Sequence, residues 1–199
     1  MGKVTAEFTM SLDGFIAGPN DDVGPLFRWY FSGDTDFQGS SNDPVFKISR
    51  ASAELLRKQW DMLGAIITGR RDFEASEAWG GNSPLGLPTF IVTHTPPQEW
   101  VRAGSPFTFV TDGVESAIQK ARQAAGDKDV AVSGSTIVQQ CLKAGLLDEI
   151  QIDLAPVLLG AGIRLFEHLG QSIELEKIKV VDAPDVTHLR FRVVRERSS

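Results

Sequence analysis

Residues 145–166 read GLLDEIQIDLAPVLLGAGIRLF, and this stretch says more about the fold than any other part of the chain. Its first half, Glu149–Leu154, predicts a strand, and the proline and glycines of Pro156–Gly162 predict a turn after that strand. A helix with one apolar face is predicted directly upstream, beginning at Gly134. A helix that leads into a strand in this way is typical of an α/β fold.

The same alternation extends in both directions from this stretch. Further strands are predicted at Lys3–Met10, Leu63–Thr68, Thr89–Thr93, Phe107–Val110, Val130–Ser133, Ile173–Val181 and Thr187–Val194. Further helices are predicted at Pro44–Trp60 with Asp43 as its cap, at Arg70–Ala78 and at Val114–Ala125. This order predicts a largely parallel sheet with helices on both faces, closed by an antiparallel pair at the C-terminus. Ligands are then expected beyond the carboxyl ends of the parallel strands.

Length and composition indicate the broad class of protein. With 199 residues, 42% of them hydrophobic, the chain suits one domain spanning residues 1–199. A net charge of -6 argues against a nucleic-acid partner. No apolar run is long enough to cross a bilayer and no signal peptide is visible, so we expect a cytoplasmic protein. Cys141 lies on an apolar helical stripe, which favours packing, and the histidines lack metal-ligand spacing, so no metal site is predicted.

The segment TGRRDFE, residues 68–74, places two arginines directly after a predicted strand. Gly69 lets the chain turn, and Arg70 and Arg71 open a helix, where guanidinium groups suit bidentate binding of phosphate. An ordinary strand-to-helix turn with solvated arginines would have the same sequence.

The segment VSGSTIV, residues 132–138, repeats this arrangement with small residues. Gly134 lets a diphosphate approach the backbone, and Ser135 and Thr136 offer hydroxyl donors at the start of a helix. The alternative is that Ser135 only caps the helix. Two phosphate sites at one sheet edge suit a dinucleotide with an additional 2′-phosphate, and the functional prediction depends on this.

The loop after the first strand contains SLDGFIAGP, residues 11–19, and extends to Asp43. Ile16 would either pack against a flat heteroaromatic ring or be buried in a hairpin. A loop this long is typical of a binding lid. Trp29 and Tyr30 in this loop, with Trp79 further along the chain, could wall a substrate pocket by stacking. Hydrophobic packing beneath the loop explains these three side chains at least as well.

Taken in order, SLDGFIAGP, GRRDFE, PTFIVTH, VSGST and AGLLDEIQIDLAPVLLGAGIRLF resemble the dihydrofolate reductase superfamily. The branch that they resemble most is the reductase domain of riboflavin biosynthesis, the RibD C-terminal domain, and the likeness runs from Val4 to Val194. It implies a three-layer α/β/α domain with a mostly parallel central sheet of about eight strands and a C-terminal antiparallel hairpin. It also implies NADPH as the hydride donor.

The resemblance assigns roles to single residues. It implies that the cofactor contacts are Ile16 and Ala17 at the nicotinamide, Gly69, Arg70 and Arg71 near the 2′-phosphate, Thr93 and His94 at the adenine ribose, and Gly134, Ser135 and Thr136 at the diphosphate. Asp13 would be the acidic residue at the mouth of the substrate site. Asp13, Asp34, Asp36 and a bound water are the candidate proton donors.

Two departures from the superfamily pattern bear on the prediction. Asp72 stands where dihydrofolate reductases often have threonine. At an effective dielectric constant of about 20, an arginine about 4 Å from a phosphate attracts it by ~4 kcal/mol, and a carboxylate about 8 Å away repels it by ~2 kcal/mol. The two arginines should therefore outweigh Asp72. The pterin-binding carboxylate is replaced by SSNDPVFKIS, residues 40–49, where Asp43 is roughly placed but precedes a proline, so folate is not the predicted substrate.

The predicted function is hydride transfer from NADPH to a C=N or C=O bond of a small heterocyclic or sugar-like substrate. One alternative is the riboflavin step, reduction of 5-amino-6-(5-phosphoribosylamino)uracil, for which Lys47, Arg50 and Arg164 are candidate phosphate ligands. Alternatives from other classes are a non-catalytic nucleotide- or flavin-binding protein and a purely structural dimerisation domain. The expected macromolecular partner is a second copy of the chain, bound through the hairpin residues Leu189, Phe191 and Val193.

Overall fold

The computed structural model describes residues 2–39 and 44–195. Within these ranges the strands are β1 (Val4–Ser11), β2 (Phe15–Ala17), β3 (Thr35–Phe37), β4 (Phe46–Ile48), β5 (Leu63–Gly69), β6 (Thr89–Val92), β7 (Phe107–Val110), β8 (Asp129–Val132), β9 (Glu149–Ala155), β10 (Ile163–Arg164), β11 (Leu175–Ala183) and β12 (Val186–Val193). The helices are α1 (Arg50–Trp60), α2 (Arg70–Ala75), α3 (Val114–Ala125) and α4 (Ser135–Lys143). Short 3-10 turns lie at Pro19–Asp21, Leu26–Phe31, Glu77–Gly81, Pro84–Gly86 and Gln98–Trp100.

Eight of these strands form one sheet in the order β11-β12-β9-β1-β8-β5-β6-β7. The strands from β9 to β7 are parallel to one another. The hairpin of β11 and β12 joins the sheet antiparallel, through β12 and β9. The predicted three-layer α/β/α fold with a mostly parallel sheet and a C-terminal hairpin is therefore confirmed.

One face of the sheet is covered by α3 and α4, and it holds the largest apolar core. Alternate strand residues such as Ala6 and Ile67 belong to this core together with Ala117 of α3. The inward stripe of α3 is the predicted one, formed by Val114, Ala117, Ile118, Ala121 and Ala125. Cys141 is buried here, as predicted, and burial raises the pKa of its thiol to about 12.

The opposite face is covered by two separate clusters. One contains Trp29 and Phe37 together with residues of α1, and it packs against Val186 of β12. The other contains Phe73 of α2 together with Ile91 of β6. Between these clusters, the central strands β1, β8 and β5 line a cleft. No helix within residues 2–39 and 44–195 is long and apolar enough to cross a bilayer.

The predicted helix Pro44–Trp60 is wrong in its first turns, because α1 begins at Arg50. The preceding residues form β4, which pairs antiparallel with β3 and so uses their backbone hydrogen bonds in a small ladder. Ser49 caps the helix instead, since its hydroxyl accepts from the backbone N–H of Ser52 at 3.1 Å. Asp43, the predicted cap, lies outside the described residues.

Candidate functional site

The cleft between the two clusters has a volume of about 1340 Å³. One part of it, here called the glycine half, is formed by the loops that follow β5, β6 and β8, at the carboxyl ends of these strands. The residues of the glycine half are 68–72, 93–95 and 133–136. The other part, here called the aromatic half, is lined by Glu7, Thr9, Phe27, Tyr30, Phe31, Phe46, Trp60 and Asp153.

The two glycine turns of the glycine half lie against each other. A Cβ atom built on Gly134 would lie 3.5 Å from the backbone nitrogen of Gly69. Gly134 has a φ of 80°, a backbone conformation that favours glycine. A Cβ atom on Gly69 would lie 3.2 Å from the side chain of Ile137 in the first turn of α4. The two turns therefore face the same cleft, because β5 and β8 are neighbours in the sheet.

Asp72 ties these two turns together. Its Oδ2 accepts a hydrogen bond from the Thr68 hydroxyl at 2.5 Å and another from the Ser133 hydroxyl at 2.8 Å. Thr68 ends one strand of the pair and Ser133 follows the other. The aspartate that departs from the superfamily pattern thus serves as a bridge beneath the cleft, with its charge held by two hydroxyl donors.

Arg70 and Arg71 both line the cleft and both have exposed side chains with weak partners. Arg70 pairs with Glu74 at 2.6 Å within one helical turn, and it also donates to the carbonyl of Thr95 at 2.9 Å. Arg71 pairs with Asp21 of the long loop at 3.0 Å. Exposed ion pairs of this kind contribute only about 0–1 kcal/mol to stability. The two guanidinium groups can therefore exchange these partners for an anion that binds in the cleft.

Thr93 and His94 line the same half, in the turn after β6. The hydroxyl of Thr93 accepts from the backbone N–H of Thr95 at 3.2 Å and lies 3.1 Å from the Thr95 carbonyl, to which it donates. The Thr95 carbonyl of this turn also accepts the hydrogen bond from Arg70. Ser135 and Thr136 also line the cleft, at the start of α4, where backbone N–H groups have no partner within the helix.

Ile16 and Ala17 line the cleft as part of β2, which the sequence had not predicted. This strand pairs antiparallel with β10, so the quoted stretch 145–166 folds back onto the loop after β1. A Cβ atom on Gly162 would lie only 2.0 Å from the carbonyl oxygen of Ala17, and Gly162 has a φ of 135°. Only glycine allows this contact, so the most specific part of the sequence serves to support one wall of the cleft.

Asp13 has a structural role that differs from the predicted catalytic one. Its carboxylate accepts from the Ser11 hydroxyl at 2.6 Å and from the backbone N–H groups of Leu159 and Gly160 at 3.1 and 2.7 Å. The hydrogen bond from Ser11, helped by those from the backbone, lowers the pKa of Asp13 to about 2. Asp13 therefore anchors the turn after β9. A carboxylate this acidic and so fully bonded is a poor proton donor, so we withdraw it as the candidate acid.

The two tryptophans proposed as substrate walls have different locations. Trp29 is buried, with 1% of its surface exposed, and its indole N–H donates to the Thr9 hydroxyl at 3.3 Å. It lies in the cluster under the long loop, which is the packing alternative, and we withdraw it as a substrate contact. Trp79 does line the cleft, and it also packs against Phe73.

The aromatic half is built from segments that are distant in sequence. Tyr30 belongs to the 3-10 turn 26–31, Phe46 to β4 and Trp60 to the last position of α1. Tyr30 and Phe46 pack with ring centroids 4.9 Å apart. Phe31, a further lining residue, is 68% exposed. Such a set of rings offers apolar walls for a flat ligand.

Glu7 is a lining residue that the sequence analysis did not single out. It lies on the central strand β1 and lines the cleft, as Trp60 does. Burial, together with the nearby carboxyl of Asp153, raises the pKa of Glu7 from 4.5 to about 8, against the opposing influence of Arg190. Glu7 is therefore mostly protonated at neutral pH.

Asp153 is held by a buried hydrogen-bond chain on the same sheet face. Its Oδ1 lies 2.6 Å from Nδ1 of His188 and accepts from the Gln151 amide at 3.0 Å. On its other side, Nε2 of His188 lies 2.8 Å from the Ser52 hydroxyl. Burial and the carboxyls of Glu7 and Asp153 raise the pKa of the Tyr30 phenol well above 10, which keeps that hydroxyl a donor.

The remaining candidates lie outside the lining of the cleft. Lys47 pairs with Asp36 at 2.7 Å, and Arg50 pairs with Glu54 at 2.9 Å, all on exposed side chains. Arg164 stacks on the Phe15 ring with its guanidinium carbon 4.4 Å from the centroid. Asp34 is exposed and bonds to the Thr35 hydroxyl.

A family model, a curated bacterial protein and several solved structures match most of this chain. The family model of the RibD C-terminal domain matches residues 2–189. The uncharacterized protein YyaP of Bacillus subtilis (strain 168) is 23% identical over 177 residues, which are 88% of this chain and 86% of YyaP. A Shewanella sp. PV-4 protein ascribed to riboflavin biosynthesis superposes with a TM-score of 0.74 at 21% identity, covering 97% of this chain and 99% of that one.

A longer protein of Thermotoga maritima has the same fold over part of its length. Its name is diaminohydroxyphosphoribosylaminopyrimidine deaminase/5-amino-6-(5-phosphoribosylamino)uracil reductase. It superposes with a TM-score of 0.63 at 11% identity, covering 97% of this chain and 57% of that one. At these identities the solved structures establish the fold alone.

Proposed function

The chain belongs to the RibD C-terminal domain family, and on this premise we propose that it is a reductase that uses NADPH to reduce a small heterocyclic or sugar-like substrate. The observation that carries the proposal is the contact between the turns of Gly69 and Gly134 in one cleft with two exposed arginines. A dinucleotide needs one site for its diphosphate and one for its 2′-phosphate, and the glycine half offers both kinds of site.

The residues of the glycine half fit NADPH. The left-handed backbone at Gly134 leaves open a place that a side chain would fill, and α4 begins there with free N–H groups, which suit a diphosphate. Arg70 and Arg71, whose charged partners are exposed acids, suit the 2′-phosphate. Thr93 and His94 would flank the adenosine ribose, and Ile16 and Ala17 would contact the nicotinamide.

When bound, NADPH supplies a hydride from its nicotinamide ring, and the chain supplies orientation and shelter from water. The rings of Tyr30, Phe46 and Trp60 would hold a flat substrate in the aromatic half. Tyr30 keeps its hydroxyl proton, so it can donate a hydrogen bond to a carbonyl or ring nitrogen.

A second candidate is the reaction in the name of the Thermotoga maritima relative, and family membership favours it. Its substrate carries a phosphate. Among the described residues that line the cleft, arginine occurs only at Arg70 and Arg71, and lysine does not occur. Lys47, Arg50 and Arg164 lie elsewhere. The residues therefore support an unphosphorylated substrate better.

The experiment that tests the proposal is fluorescence titration of the protein with NADPH and with NADH, followed by a turnover screen. The screen measures NADPH oxidation with pterins, flavins and pyrimidines, each with and without a ribosyl phosphate where chemistry allows. We expect micromolar binding of NADPH and oxidation with at least one compound. Absence of NADPH binding would contradict the proposal, and binding without any turnover would favour a nucleotide-binding protein.

We also propose a cytoplasmic homodimer, with a change in the expected contact residues. Val193 is only 9% exposed and Leu189 packs against the main core, so neither suits an interface, while Phe191, the third predicted residue, is half-buried. Apolar surface lies instead on the edge strand β11, where Leu175, Ile178 and Val180 are 42%, 37% and 49% exposed. Light scattering of the native chain and of Val180→Lys should give a dimer and a monomer, respectively.

A further inference from the structure

The acidic groups of the cleft differ in their partners. Asp21 pairs with Arg71 at 3.0 Å, and Asp72 accepts from two hydroxyls in the glycine half. Asp153 is bonded to His188 and Gln151. Among the described lining residues, Glu7 is therefore the acid for which the strongest influence of a neighbouring charge comes from another carboxyl, that of Asp153.

Arg190, the cation that acts on Glu7, is already engaged by a different acid. Arg190 of β12 bonds to Glu149 at 2.7 Å, and Lys3 bonds to the other oxygen of Glu149 at 2.6 Å. A small cavity of about 40 Å³ connects Glu7 with Arg190, Glu149 and Asp129, so two further acids face it from that side. Because Arg190 is bonded to Glu149, its positive charge stabilises the ionised form of Glu7 less than a direct ion pair would.

Strand pairing fixes Glu7 beside Asp153. Glu7 is opposite Gln151 and Thr9 is opposite Asp153, in the parallel pair of β1 and β9. Since residues two apart point to the same face, Glu7 and Asp153 are diagonal neighbours on the floor of the aromatic half. A proton on Glu7 therefore avoids two adjacent carboxylates, and Glu7 lines the cleft in which a substrate would bind.

We propose that Glu7 is the general acid of this cleft and gives its proton to the nitrogen or oxygen of the C=N or C=O bond that is reduced. This inference rests on the proposed reductase function. The hydride adds to the carbon, the π electrons move to the heteroatom, and the heteroatom takes the Glu7 proton. One C–H bond and one N–H or O–H bond form in the product. The π bond, the Glu7 O–H bond and one C–H bond of the reduced nicotinamide break, and the nicotinamide, as the reductant, is left oxidised. Solvent in the open cleft returns a proton to Glu7.

The environment of Glu7 suits this task. A general acid works best when its pKa lies near the working pH, and that of Glu7 is about 8. Neither Asp13, with a pKa of about 2, nor Tyr30, with a pKa well above 10, is matched in this way. Asp34 and Asp36 are outside the cleft lining.

The first test reads the proton directly and needs no substrate. Infrared difference spectra of the native chain, recorded from pH 5 to pH 10, should show loss of a protonated-carboxyl C=O band with an apparent pKa of about 8. Glu7→Gln should lack that band. The control Glu176→Gln, which removes an exposed acid of the edge strand β11, should keep it. A spectrum in which no such band titrates above pH 6 would overturn the proposal.

The second test is kinetic and uses 7,8-dihydrobiopterin as a C=N probe, or the compound from the turnover screen that is reduced fastest. Glu7→Gln should lower kcat about 100-fold and leave KM within about threefold, since general acids contribute 10²–10⁴. The decline of native activity above about pH 8 should disappear in Glu7→Gln and persist in Glu176→Gln. Glu7→Asp should keep that decline at a reduced kcat.

The outcomes separate this inference from the proposed function. If the native chain reduces none of the compounds, the reductase proposal fails, and the role of Glu7 fails with it. If the native chain is active and Glu7→Gln has an unchanged kcat and pH profile, the reductase proposal stands and Glu7 is not the acid.

Discussion

The two halves of the cleft are assembled in different ways. In the glycine half, each turn is a short continuous segment: Gly69 is followed directly by Arg70 and Arg71, and Gly134 directly by Ser135. The aromatic half, in contrast, combines residues from five separate segments: β1, the 3-10 turn 26–31, β4, α1 and β9. Glu7, Tyr30, Phe46, Trp60 and Asp153 meet only after β1, the long loop, α1 and β9 have packed.

This difference implies that the two halves tolerate substitutions differently. Backbone turns at the ends of parallel strands can bind a common cofactor with few side chains. A pocket made by long-range packing can change its shape by single substitutions without disturbing those turns. Substitutions in the glycine half should therefore change cofactor binding, and substitutions in the aromatic half should change substrate binding and proton transfer.

The largest effect is expected from Gly134→Val, which should weaken both NADPH and NADH by about 100-fold. A side chain at a φ of 80° costs about 1–3 kcal/mol, and it also fills the contact with Gly69. Titration of both nucleotides measures the loss. Gly104→Val is the matched control, because Gly104 has a φ of 78° but lies outside the cleft lining. Equal losses of nucleotide affinity in both variants would show that backbone strain, and not the position of Gly134 in the cleft, weakens binding.

Replacing both Arg70 and Arg71 with alanine should weaken NADPH about 10- to 100-fold and NADH less than about threefold. A hydrogen bond to a charged group contributes about 1.5–3 kcal/mol, and because both guanidinium groups are exposed we expect about this much from the two together. NADH lacks the 2′-phosphate. The readout is the ratio of the two dissociation constants. Arg50→Ala is the control, since the Arg50–Glu54 pair is also an i,i+4 pair but lies outside the cleft lining. Equal losses for NADPH and NADH would remove the 2′-phosphate assignment.

A stability effect is expected from Glu7 in the other half. Its pKa is raised in the folded chain, so its contribution is complete below pH 4.5 and is lost as the pH rises to about 8. The melting temperature of the native chain should fall, relative to that of Glu7→Gln, by at most about 2–4 °C per pH unit in this window. Thermal melts from pH 4.5 to 9 measure this difference. Parallel curves for both proteins would mean that Glu7 is ionised in the folded state.

The smallest catalytic effect is expected from Asp13→Asn, because Asp13 belongs to neither half. Its kcat should stay within about twofold of the native value, while the melting temperature falls by a few degrees, about the size expected when one anchor is weakened. The contribution of Asp13 is present above pH 3.8 and is lost as the pH falls through about 2. A variant with native stability and a tenfold lower kcat would restore Asp13 as a catalytic residue.

Local patterns predicted the glycine half and most of the fold. The helix Val114–Ala125 is predicted with its observed limits, because its apolar stripe repeats with a helical period and Gly126 follows it. The glycine turns could be found because a strand, a glycine and a helix start are adjacent in sequence. The predicted start of α1 was wrong because Ser49 caps the first helical turn. The residues before Ser49 pair with β3, and this pairing overrides their local helix preference.

In the aromatic half, only Tyr30 was predicted as a wall residue, although a signal for Glu7 was also present. Lys3, Thr5, Glu7 and Thr9 alternate with apolar residues, which suggests a solvated face when the strand is taken alone. A central strand of a parallel sheet is covered on both faces, however, so a glutamate there must be paired or functional. Two other features depend on long-range contacts, which no local sequence pattern indicates. They are the position of Trp29 and the hydrogen bonds that Asp13 accepts from Leu159 and Gly160.

A crystal structure of the chain with NADPH tests the central claim most directly. We expect the diphosphate against residues 134–136, the 2′-phosphate beside Arg70 and Arg71, and the nicotinamide against Ile16 and Ala17, facing the aromatic half. Density for the diphosphate away from both glycine turns, or a nicotinamide outside the cleft, would contradict the claim that these turns bind the cofactor.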